Sequence, residues 1–166
     1  MYQQLTSKPI QILGCGNTLL GDDGFGPAVI EHLLTHHQLP DEVHAADVGT
    51  GIRDLLFDLL LSPTRPRLLI LVDAADPPDL APGELAELTV SQVDPAKAHD
   101  FSVHHFPSLN LLRELATQTA TRVRILAVKV AARPEQVNPG LSPPVAAAVP
   151  RASAWILQIL QEIARA

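Results

Sequence analysis

A single cysteine, Cys15, stands among the 166 residues. Its isolation excludes an intramolecular disulfide framework and any zinc or iron–sulfur centre built on several thiolates of this chain. Cations are scarce too: 12 lysines and arginines against 18 aspartates and glutamates leave a net charge of −6. No basic stripe is available to follow a phosphate backbone, so no nucleic-acid partner is expected. No apolar run approaches the roughly 18 residues of a spanning helix. The opening stretch, MYQQLTSKPIQILGCGN, has no basic segment followed by a long apolar core. These absences set the expectation of a cytoplasmic protein away from membranes, and a monomer, since nothing marks a large exposed apolar face. A Gly-x-Ser-x-Gly elbow is missing, which disfavours a serine hydrolase.

What is present is a core. Hydrophobic residues are 46% and charged residues 18% of the chain, the balance of a globular protein rather than a disordered tail. At this length one domain, 1–166, buries roughly 68–70% of its unfolded surface and needs no covalent staple. Apolar runs suggest strands at Ile10–Gly14, Val43–Val48, Leu68–Val72 and Val123–Val130, with a further edge strand at Glu84–Val90. Helical spacing marks the stretch after Gly24-Phe25-Gly26-Pro27, residues 52–61, and Leu109–Ala120 behind Ser108 as N-cap. A last helix starts near Ser142-Pro143 and runs to about Ala164. Pro150 falls inside that helix and is expected to kink or break it. The segments 74–82 and 91–107 read as loops, the second long enough to carry function. Strand and helix alternate with short links, so the expected fold is α/β: a single doubly wound domain, with a mostly parallel five-stranded sheet and helices on both faces.

In such sheets ligands bind beyond the carboxyl ends of the strands, where strand order reverses. The residues there are Gly14-Cys15-Gly16-Asn17-Thr18-Leu19-Leu20-Gly21-Asp22-Asp23-Gly24 after the first strand, Asp47 after the second and Asp73 after the third. In a flavodoxin-like order Asp22 or Asp23 faces Asp73 across one crevice. The glycine loop fits a dinucleotide fingerprint poorly. Leu19 takes the place of the third glycine, and two aspartates before the helix would repel a pyrophosphate. Helix capping is the bland reading of Asp22 and Asp23, a local backbone hydrogen bond that of Asp73, and a turn that of Asp47. His104 and His105 precede a helix at Phe106-Pro107-Ser108. Carboxylates and an imidazole in one crevice make a nitrogen/oxygen ligand set suited to Zn²⁺, Ni²⁺ or Co²⁺. Cys15 lies between glycines with no evident base, and His32, His36 and His37 read as solvated residues at a helix end.

These motifs resemble the hydrogenase maturation endopeptidases. The resemblance is carried by Gly14 to Gly26, Asp47-Val48-Gly49-Thr50, Leu69 to Ala74, the His104 segment and Pro139-Gly140-Leu141-Ser142-Pro143, in that order along most of the chain. It implies a hydrolase, a protease without catalytic serine or cysteine, which removes a C-terminal extension from the nickel-loaded large-subunit precursor of a nickel–iron hydrogenase. It places the metal ligands on Asp23, Asp73 and His104, with His105 as an adjoining alternative. Some members carry Glu where Asp23 stands, one methylene longer. Nickel is expected to arrive with the precursor, and zinc or cadmium could replace it in a crystal. Two mechanisms stay open: metal-assisted cleavage, or an aspartyl-type pair in which Asp23 and Asp73 share a proton. A non-catalytic chaperone that recognises the metal site would use the same three residues.

Overall fold

The computed structural model describes residues 7–88, 90, 106–132, 134 and 136–166. Strand β1 (Ile10–Cys15) is an interior strand of a five-stranded sheet and is buried along its whole length. It is followed by a 3₁₀ turn (Gly21–Gly24), helix α1 (Phe25–His36), β2 (Val43–Gly49), α2 (Ile52–Leu61) and β3 (Leu68–Ala75). Next come β4 (Leu85–Leu88), α3 (Phe106–Gln118), β5 (Arg122–Lys129) and α4 (Pro143–Arg165).

The sheet order is β2-β1-β3-β5-β4, with β1, β2, β3 and β5 parallel and β4 antiparallel to β5 at one edge. Period-two alternation sends neighbouring side chains to opposite faces. Ile12, Ile70, Val72, Leu126 and Val128 meet Phe25, Val29 and Leu33 of α1 and Ala148, Ala152 and Ile156 of α4. Leu13, Leu69, Leu71 and Ile125 meet Leu55, Leu56 and Leu59 of α2 and Leu112 and Leu115 of α3. Both faces are therefore covered, and the central strands read as unbroken apolar runs for that reason.

Three of the sequence-based expectations are corrected by more than a residue or in kind. Strand β3 continues past Asp73 to Ala75, because Asp73, Ala74 and Ala75 each find a register partner on β5. Helix α3 is already helical at Phe106, so Ser108 is inside it and not its N-cap. Proline at the second position suits a first helical turn, where an N–H would have no partner. Helix α4 runs uninterrupted across Pro150. That proline is exposed, so the carbonyl it leaves without an N–H partner can be hydrated, and the apolar face of α4 stays packed. Among the described residues no helix is long and apolar enough to cross a membrane.

Candidate active site

The first crossover places β2 on one side of β1 and the second places β3 on the other, so the strand order reverses between β1 and β3. Gly14 is level with Val72 there, which brings Cys15 beside Asp73 at the carboxyl ends of the two strands. The glycine-rich sequence that follows serves backbone packing. A Cβ on Gly26 would lie 2.3 Å from the Cys15 carbonyl oxygen and 2.5 Å from that of Val72, so only glycine lets the start of α1 rest on both strand ends. Gly16 has φ +137°, and a Cβ there would lie 1.8 Å from the Asp23 carbonyl oxygen.

The loop amides are committed as well. Gly16 N donates to Gly49 O at 2.9 Å, Leu20 N to Asn17 O at 3.0 Å and Gly21 N to Asn138 O at 2.8 Å. Asn17 N donates to Asp23 Oδ2 at 2.8 Å and Leu19 N to Asn17 Oδ1 at 3.0 Å. A phosphate cradle needs such N–H groups pointing at the ligand, and here they point at protein oxygens. The dinucleotide reading fails on this geometry.

Asp22 and Asp23 are both buried and neither caps the helix that follows; the N-cap of α1 is Gly24, with no side-chain bond. Asp22 accepts from Ser142 N at 2.7 Å, Ser142 Oγ at 2.9 Å and Ala131 N at 2.9 Å. It therefore ties the end of β5 and the start of α4 to the 3₁₀ turn. Ser142 occupies the N-cap position of α4, yet its hydroxyl serves Asp22 rather than its own helix. Asp23, one residue on, receives the Asn17 amide from the loop after β1, and its turn packs against β3. Asp73 is half-buried on β3, and its Oδ1 accepts from Ala74 N at 2.8 Å. Asp47 is exposed, and its Oδ1 accepts from Gly49 N at 2.8 Å, the turn expected of it.

Cys15 records how these carboxylates are grouped. Burial pushes its thiol well above the ordinary value, and the charges of Asp73, Asp47 and Asp23, in that order, push it further. A thiol so placed stays protonated and is a packing residue, not a nucleophile. Asp73 lies on β3, Asp47 on β2 and Asp23 in the 3₁₀ turn after β1. His104 and His105 lie outside the described residues, and among the described residues no three of His, Cys, Asp and Glu stand close enough to hold a metal ion.

Two open grooves adjoin the 3₁₀ turn. One of about 460 Å³ is bounded by Thr18, Gly24, Glu31, Leu34, Asp47 and Leu141. The other, about 470 Å³, is bounded by Asp22, Pro134, Asn138, Pro139 and Ser142. Gly21, Gly140 and Leu141 belong to both. The segment before α4 is thus a wall of the site, a role that sequence reasoning missed. The nearest signal was Asn138-Pro139-Gly140 ahead of an N-cap serine, which marks a turn but not its partner.

A sequence model of the family described as hydrogenase maturation protease matches residues 27–159. A protein of Methanocaldococcus jannaschii provisionally named as a hydrogenase maturation protease is 35% identical over 153 residues, covering 92% of this chain and 97% of its own. The hydrogenase 2 maturation protease of Escherichia coli K12 is 31% identical over 155 residues, 92% of this chain and 91% of its own. The solved hydrogenase maturating endopeptidase HybD of E. coli superposes with a TM-score of 0.73, at 31% identity over 92% of each chain. Two crossovers, a switch point furnished with carboxylates and these likenesses agree, and the chain belongs to the hydrogenase maturation protease family.

Proposed function

We propose that this endopeptidase removes the C-terminal extension from a nickel-loaded large-subunit precursor of a nickel–iron hydrogenase, with Asp23, Asp73 and His104 engaging the nickel that the precursor carries. The observation that carries the reading is the place of Asp73 on β3 beside the end of β1 at the switch point, with Asp23 held by the Asn17 amide on the loop that follows β1. Oxygen donors with an imidazole suit a divalent ion of borderline hardness. Such an ion polarises a scissile carbonyl.

The chain's own part is placement. The loop amide of Asn17 holds the Asp23 carboxylate, and the β3–β5 ladder holds the backbone that carries Asp73. The segments 76–82 and 91–105 select the substrate in this reading. A carboxylate that engages the precursor's metal makes cleavage follow metal insertion, because an empty precursor offers it nothing to hold.

Processing by Asp73→Asn tests this. The amide keeps the shape and removes the charge, and cleavage of the nickel-loaded precursor is expected to fall by roughly 10²–10⁴-fold, the range for loss of a catalytic acid or base. Full processing by that variant would sink both the metal-engaging and the aspartyl-pair mechanisms. Tight binding of the precursor by wild-type protein, with no change in precursor mass, would support the chaperone reading instead.

A further inference from the structure

We propose that Asp22 is a positioning residue for this cleavage: it holds Gly140 and Leu141, just before α4, as the wall shared by the two grooves at the 3₁₀ turn, and so governs how tightly the precursor binds. The inference rests on the reading above that the chain cleaves a hydrogenase precursor, and adds that the precursor lies in these grooves.

The geometry is that of a clamp. Ala131 and Ser142 bracket the segment 132–141, and both donate to the same carboxylate, which is 3% exposed. Between those two points the segment is held again by Asn138, whose N donates to Leu19 O at 2.8 Å and whose O accepts from Gly21 N at 2.8 Å. The three attachments fall on residues 19–22, directly before Asp23. Gly140 and Leu141, on the clamped segment, face both grooves. A polypeptide lying in either groove meets that wall.

The chemistry explains why aspartate is required. Ser142 N, Ser142 Oγ and Ala131 N bring three donors to two oxygens. A carboxylate accepts through both oxygens, whereas an amide accepts through one and donates through the other. In either orientation an asparagine would turn its NH₂ towards a backbone N–H, of Ala131 or of Ser142, and release one end of the segment. With three donors on its two oxygens, Asp22 holds the segment and is given no part in bond cleavage.

The test is steady-state cleavage of nickel-loaded precursor by wild type, Asp22→Asn, Ser142→Ala and the double variant, with hydrogen exchange on each. Asp22→Asn is expected to raise KM about tenfold or more while kcat stays within about threefold, the pattern of lost uniform binding. Ser142→Ala removes only the hydroxyl bond and should raise KM about two- to fivefold, and the double variant should be no worse than Asp22→Asn, since both act on one clamp. Amides of residues 131–142 should exchange faster in Asp22→Asn, with β1 and β3 still protected. An unchanged KM in Ser142→Ala and Asp22→Asn, or a fall in kcat at constant KM, overturns the proposal while leaving the endopeptidase reading intact. If Asp22→Asn does not fold, Ser142→Ala decides alone. A wild-type enzyme that leaves the precursor whole overturns the reading itself and the inference with it.

Discussion

The carbonyl oxygen of Asp23 lies 1.8 Å from where a Cβ on Gly16 would stand, and Gly16 holds φ at +137°. Glycine is the only residue that fits there, because both the space and the backbone angle exclude a side chain. Gly16→Ala should therefore displace the turn carrying Asp23. The expected result is a loss of at least about 2 kcal/mol in stability, since backbone strain alone contributes roughly 1–3 kcal/mol. Urea unfolding would measure the loss, and precursor cleavage should fall with it. Wild-type stability and activity in Gly16→Ala would show that this close approach does not hold Asp23.

Asp23→Asn should separate chemistry from fold. Its Oδ2 accepts the Asn17 amide, a bond that an asparagine oxygen can keep. Thermal unfolding is expected to shift only modestly, while cleavage drops by roughly 10²-fold or more. Substantial cleavage by a folded Asp23→Asn enzyme would remove Asp23 from the site.

Pro150 stands on the exposed side of α4 and leaves one turn of that helix without its hydrogen bond. Pro150→Ala restores the donor and should stabilise the protein by about 1–3 kcal/mol, since proline costs about 3 kcal/mol in a helix interior relative to alanine. Chemical denaturation of the two proteins checks this, and a loss of stability would mean that the ring itself packs.

Stability should fall on mild acidification through two histidines outside the site. Burial, then the neighbouring His36 and His37, hold His32 below the ordinary value of 6.5. Burial and then Lys8 do the same for His44, whose Nδ1 lies 2.9 Å from Gln11 Oε1. Above pH 6.5 both are mostly neutral, folded or unfolded. As pH drops through that value the unfolded chain takes up protons that the folded chain resists, so stability present at higher pH is lost. Denaturation midpoints at pH 7.5 and 5.5 should differ less in His32→Gln and His44→Gln than in wild type. Equal differences in all three proteins would refute the assignment.

The sheet and its switch point were legible in the sequence because Leu68–Val72 is an apolar run of the kind that only a strand covered on both faces displays. The same logic points to Asp73 and to Asp22 or Asp23, since strand ends are where ligands bind in this class of fold, and only the family resemblance singles out Asp23. Asp22 was not legible. Its partner Ser142 lies 120 residues away, and local reasoning offers either aspartate only a helix cap or a place in the crevice. The end of β3 was misjudged because Ala74 and Ala75 carry no strand preference of their own; the ladder to β5 extends the strand. Pro150 was read as a break because sequence shows the missing donor but not the exposure that makes its loss tolerable.

Cleavage that waits for nickel is the centre of the account, and intact mass spectrometry of the cognate precursor tests it most directly. Purified protein is mixed with precursor that either carries nickel or lacks it, and the precursor mass is read after incubation. Loss of a C-terminal peptide from the nickel-loaded form alone is the expected result. Equal cleavage of the nickel-free precursor would contradict the account, as would a stable complex with neither form shortened.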